Sequence, residues 1–243
     1  MFSRADDTDI DRFQETAVFP GSPLAVIHRS ADGRWAFVLT PRYDGWITDE
    51  AIAIGSRDAV LGYASAATRV VTGSRVQTAF APDASAASQP SPDMGTALPE
   101  ITSWPRDVAV NGQRPGAAHV VQLPCREPDG SLTLRPALLP RAADTHDGPL
   151  PASRAHVIRQ ACKFLGDRYG WGHDYDSRDC SGLVCEVYRS LGLLLPRNTA
   201  DQAKCPAVDR TPLAAALDRD ARLAAIAALA PGDLIYVPGH VMI

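Results

Sequence analysis

The tetrapeptide Asp179-Cys180-Ser181-Gly182 stands directly before an apolar stripe, Val184, Val187, Tyr188 and Leu191, spaced i, i+3, i+4, i+7 and ended by Gly192. That pattern predicts a helix with one buried face and Cys180 in its first turn. Exposed backbone N–H groups and the positive end of the helix dipole favour a thiolate over a thiol at such a position. Further on, residues 230–243 read as turn, short strand, turn and strand, with His240 opening the last strand. A helix-borne cysteine and a strand-borne histidine supply a nucleophile and its general base. Alone, either residue has a plainer reading: a lone cysteine beside a helix is usually core, and a lone histidine is usually an exposed turn residue.

Composition narrows the remaining classes. The chain has 243 residues, enough for two or three small domains, with ordinary apolar and charged content. A net charge of −4 without any basic run argues against a nucleic-acid partner. No apolar run reaches the roughly 18 residues that span a bilayer, and the N-terminus lacks the apolar core of a secretory signal. The five cysteines include no C-x-x-C pair, so neither a zinc site nor any other metal or cofactor is expected. Cys180 and Cys185 fall on different helix faces, and Cys162 and Cys185 read as small core or near-surface residues. His173, Asp174 and Asp176 read as a solvated acidic loop.

Short β-type runs at Leu24 to His28, Arg34 to Thr40 and Gly45 to Thr48, broken by Asp-Gly turns, predict a small barrel over residues 15–62 with Trp35 and Trp46 in its core. Residues 63–142 read as a second, more degenerate barrel containing a Pro-, Ala- and Ser-rich loop at 82–92. Pro136 to Pro151 reads as a semi-rigid linker. Ser153 then caps a helix with Ile158, Ala161, Cys162 and Leu165 on one face, and a further helix is expected from Thr211-Pro212.

Five ordered motifs carry a resemblance: Tyr169-Gly170-Trp171-Gly172; Asp179-Cys180-Ser181-Gly182; Leu195 to Thr199 with Gln202; Pro231-Gly232-Asp233-Leu234; and Gly239-His240-Val241. In this order and spacing, residues 153–243 resemble the NlpC-type cell-wall cysteine peptidases, and the region before them resembles bacterial SH3-like domains. The resemblance implies an α+β papain-like peptidase domain at 150–243, preceded by two small all-β SH3-like barrels. It implies hydrolysis of the γ-D-glutamyl–diamino acid bond in peptidoglycan stem peptides, with Cys180 as nucleophile and His240 as base. It also implies that Asp179 and Ser181 line the substrate pocket, the acid being suited to a free peptide amine, although Asp179 equally suits a helix cap. Tyr169 either packs under the loop or donates a hydrogen bond to substrate or oxyanion, and Tyr43 is a candidate for the cleft wall. A non-catalytic wall-binding module, and an amidase or acyltransferase on the same Cys–His pair, are the alternatives.

The substrate class implies the cell envelope or periplasm, while the signal-free N-terminus admits a cytoplasmic recycling role. Two departures from the family stand out. His173 replaces a glycine that many members carry, implying a different backbone path before the nucleophile. The polar residue that usually orients the histidine, about a dozen positions later, falls beyond Ile243. The peptidase domain is therefore expected to be C-terminally incomplete, with a poorly organised site and little activity.

Overall fold

The computed structural model describes all residues except Met1, Ala5, Asp6, Asp83, Ser85, Ala86, Ala215 and Ala216, and for residues 2–4 and 7–9 it describes only the backbone. The strands are β1 (Phe2–Arg4), β2 (Asp7–Asp11), β3 (Ala25–Arg29), β4 (Trp35–Leu39), β5 (Asp44–Thr48), β6 (Ala67–Val71), β7 (Ala97–Pro99), β8 (Ala118–Arg126), β9 (Leu132–Pro140), β10 (Thr145–Asp147), β11 (Ile235–Val237) and β12 (His240–Met242). The helices are α1 (Arg57–Ala66), α2 (Arg154–Cys162), α3 (Cys180–Ser190), α4 (Thr199–Gln202) and α5 (Arg219–Ala227). The chain divides into two compact units, one of residues 17–150 and one that joins residues 1–16 to residues 151–243.

The 17–150 unit is mostly β. β3, β4 and β5 form an antiparallel sheet, a second sheet has the order β10-β6-β7, and β8 pairs with β9 over nine residues each. Alternation sends Ala36 and Val38 of β4 into a small core with Ile52, while Val71, Leu98, Val121 and Leu139 anchor the larger one. Trp35 and Trp46, expected in the core, are instead 44% and 52% exposed. Both lie on the outer face, one position out of phase with the buried set; Trp35 stands opposite Thr48, and Trp46 stands opposite Phe37, against which its ring packs edge-on.

The expected linker beginning at Pro136 is also corrected, because Pro136 to Pro140 completes β9. The Leu138 carbonyl accepts from the Ala79 N–H at 2.8 Å, so the even-numbered residues of β9 turn their backbone groups away from β8. Pro136 and Pro140 fall in that class, where a missing N–H breaks no bond of the hairpin ladder. Within the loop expected at 82–92, residues 83, 85 and 86 lie outside the described residues.

In the other unit, Ser153 caps α2 as its position predicts, accepting from His156 N–H at 3.3 Å. The buried face is Val157, Gln160 and Phe164, whereas Ile158 and Leu165 are exposed, so the helix is rotated from the expected stripe. The helix expected from Thr211 starts later: α5 begins at Arg219, where the Asp218 side chain accepts from Ala221 N–H at 2.8 Å. α3 carries the predicted face of Val184, Val187 and Leu191. It packs against the β11–β12 hairpin through Val241, with Leu234 and Tyr236 alongside. Gly239, at φ +79°, makes the turn between the two strands.

Candidate active site

Cys180 opens α3 and is partly exposed. Asp179 caps the helix, its Oδ1 accepting from Gly182 N–H at 2.7 Å, so the first turn is fixed around the thiol. The Cys180 sulfur lies 3.7 Å from Thr199 Oγ1 at the start of α4. The Tyr169 phenol lies near Cys180, and its pKa is pushed up to about 12 by burial first and then by the charges of Cys180 and Asp179. It therefore stays protonated and able to donate throughout the neutral range. His240 stands exposed on β12, the strand packed on α3. Cys180 and His240, the expected nucleophile and base, thus occupy adjoining elements of one unit.

Asp179 and Ser181 are less accessible than the sequence suggests, being 7% and 5% exposed. Both Asp179 oxygens are engaged. Arg197 donates to Oδ2 at 2.6 Å and to Oδ1 at 3.1 Å, and Gly172 N–H donates to Oδ2 at 3.0 Å. The Ser181 hydroxyl accepts from Arg197 at 2.9 Å. Burial alone would push the Asp179 carboxyl up, but the hydrogen bonds and charge of Arg197, with Gly182 N–H, hold it below the ordinary value. These partners serve the cap, and a substrate amine at Asp179 would compete with Arg197. Tyr43 belongs to the 17–150 unit, in the turn between β4 and β5, where Thr40 Oγ1 accepts from its N–H at 3.0 Å.

His173 departs from the reading of its loop as solvated, whereas Asp174 is half-buried and Asp176 exposed. The His173 side chain is 6% exposed, and Nε2 lies 2.8 Å from Glu186 Oε1 on α3. Arg197 lies 3.4 Å from Nδ1, and a guanidinium can only donate, so Nδ1 accepts and Nε2–H donates to Glu186. The second Glu186 oxygen accepts from Arg178 at 3.1 Å, and Arg178 also lies over the Phe164 ring. Two buried ion pairs, Arg197–Asp179 and Arg178–Glu186, are thereby bridged by one imidazole. The loop beneath takes an unusual path, with φ +59° at Gly172, +70° at His173, +57° at Tyr175 and +55° at Asp176. Left-handed conformations at three non-glycine residues persist only where surrounding contacts over-determine them, and this network supplies those contacts.

Residues before the first barrel close the loop from the other side. Gln14 donates to the Gly172 carbonyl at 2.9 Å, Arg197 Nε donates to Thr16 Oγ1 at 2.7 Å, and Arg12 sits over the Trp171 ring. A Cβ at Gly172 would fall 2.3 Å from the Gln14 carbonyl oxygen. Sequence reading missed Gln14, Thr16, His173, Arg178 and Glu186. The one available signal was a charged Glu186 beside the apolar stripe of α3, which asks for a buried partner.

Residues 166–243 match the model of the NlpC/P60 family, and residues 1–48 match that of an SH3 domain of the SH3b1 type. Residues 166–243 are an NlpC/P60 domain. This family is generally one of cell-wall peptidases. Among solved structures, the chain is similar to a novel NlpC/P60 endopeptidase from Photobacterium damselae subsp. piscicida, with 21% identity and a TM-score of 0.67 over 81% of this chain and 39% of that one. It is also similar to an NlpC/P60 family protein from Bacillus cereus ATCC 10987, with 20% identity and a TM-score of 0.57 over 90% of this chain and 64% of that one. The chain thus spans under two thirds of either protein. No curated protein matches the sequence. The fold is mixed α and β, a small SH3-like β domain combined with a papain-like NlpC/P60 domain.

Proposed function

We propose that the NlpC/P60 domain is a cysteine peptidase that cleaves the bond between the γ-carboxyl of D-glutamate and a diamino acid in peptidoglycan stem peptides. The observation that carries this reading is the capped first turn of α3, which presents Cys180 partly exposed, beside the Tyr169 phenol and in the element packed by the His240 strand. In the proposed reaction, His240 takes the thiol proton and the thiolate adds to the amide carbonyl. Backbone N–H groups at the helix start and the protonated Tyr169 phenol hold the developing oxyanion. Collapse breaks the C–N bond, the imidazolium protonates the leaving amine, and water then hydrolyses the thioester with His240 as base. No step calls for a metal or cofactor.

Mass spectrometry of stem peptides incubated with the protein tests the assignment. The predicted products are a γ-D-glutamyl fragment with a new free carboxyl and the released diamino acid portion, both absent with Cys180→Ser. Cleavage at a different bond, or unchanged cleavage by Cys180→Ser, would contradict it.

A further inference from the structure

Within the 17–150 unit, a cleft of about 380 Å³ opens between the segment Glu100 to Arg106 and the start of β8. Its apolar lining, Ile101, Val120 and Ala118, belongs to a hydrophobic cluster that also holds Trp104. The Trp104 indole N–H donates to the Val108 carbonyl at 3.0 Å, so the ring is a fixed wall. Two arginines, Arg106 and Arg141, line the same cleft, are exposed and have no carboxylate partner among the described residues. The one acid in the lining does not cancel them. Glu100 is already paired with Arg69 at 2.6 Å and with His119 Nδ1 at 2.7 Å. Burial would push its carboxyl up, but those partners hold it below the ordinary value, so its charge is spent internally.

We propose that this cleft binds a short carboxylate-bearing peptide, its apolar body against Trp104 and a carboxylate held by Arg106 and Arg141. Guanidinium forks match a carboxylate bidentately, and the indole, held by its own hydrogen bond, gives the peptide body a fixed surface. An inorganic anion would leave the apolar lining and the indole without a partner. The volume also lies at the small end of ligand clefts, a size for a short peptide rather than a folded partner. The site belongs wholly to the β unit and does not depend on the chemistry proposed for Cys180.

Calorimetric titration of the whole chain tests it, with Cys180→Ser present to prevent turnover. The probes are alanyl-glutamyl-alanine with free carboxylates, the same tripeptide with both carboxylates amidated, and inorganic phosphate. The free tripeptide should bind at least tenfold more tightly than the amidated one. Replacing both arginines, Arg106→Ala with Arg141→Ala, should remove at least tenfold of that affinity without moving the unfolding temperature, because both side chains are exposed, and Arg→Lys at both positions should recover part of it. Equal affinity for free and amidated tripeptide, or undiminished binding by the double alanine variant, would overturn the proposal. Phosphate held by these arginines with no tripeptide binding would overturn it equally.

Discussion

At the scale of single residues, the site depends on what surrounds the thiol. Tyr169 keeps its proton up to about pH 12, so it offers a donor at every working pH. Tyr169→Phe is predicted to lower kcat/KM by roughly a hundredfold, as loss of one oxyanion donor does. The shape of the pH profile between 5 and 9 should not change, since the phenol does not titrate there; a new ionisation in that window would contradict this role. Asp179 acts through Arg197. Its depressed carboxyl means that its contribution to stability is fully present above the unfolded value of about 3.8 and is lost as pH falls below it through the folded value. Acid titration of unfolding should therefore show a loss below pH 4 that Asp179→Asn lacks. Removing the acid at neutral pH strands a buried guanidinium and a helix end, and Asp179→Ala should cost about 3–5 kcal/mol in chemical denaturation.

At the scale of elements, the left-handed loop at 172–176 is pinned between α3 and residues 12–16. Gly172→Ala combines a positive φ with a Cβ placed 2.3 Å from the Gln14 carbonyl oxygen. It should destabilise the unit by at least about 1–2 kcal/mol and raise hydrogen exchange selectively over residues 11–16. Unchanged protection there would show that the strap does not depend on the loop. The sequence made the two ends of this arrangement legible because both follow local rules. The i, i+3, i+4 stripe gave α3, and Pro-Gly turns gave the β11–β12 hairpin. What joins them was illegible because it is tertiary. His173 and Glu186 lie in different elements, and nothing local marks a histidine among acids as buried. The prolines of β9 misled for a related reason: whether proline disrupts a strand depends on which way its backbone faces, and register is set by the partner strand.

At the scale of the whole molecule, residues 1–16 belong with the unit of residues 151–243 although the SH3 match spans residues 1–48. Deleting residues 1–16 removes the acceptor for Arg197 Nε and the donor to the Gly172 carbonyl. Calorimetry should then show a lower transition for the unit of residues 151–243 and an unmoved one for residues 17–150; equal shifts in both would contradict the division. The central claim is that the fold activates one cysteine of five. Cys125 is buried, and burial pushes its thiol up, while Cys185 is buried as well. Cys162 is the exposed one, so simple access favours Cys162, whereas activation by the helix end and His240 favours Cys180. Alkylation of all five cysteines by a small electrophile near pH 7, resolved by peptide mass spectrometry, separates these outcomes. The account predicts that Cys180 reacts fastest and slows at least tenfold in His240→Ala, while Cys162 is unaffected; Cys162 reacting as fast as Cys180, or Cys180 indifferent to loss of His240, would contradict it.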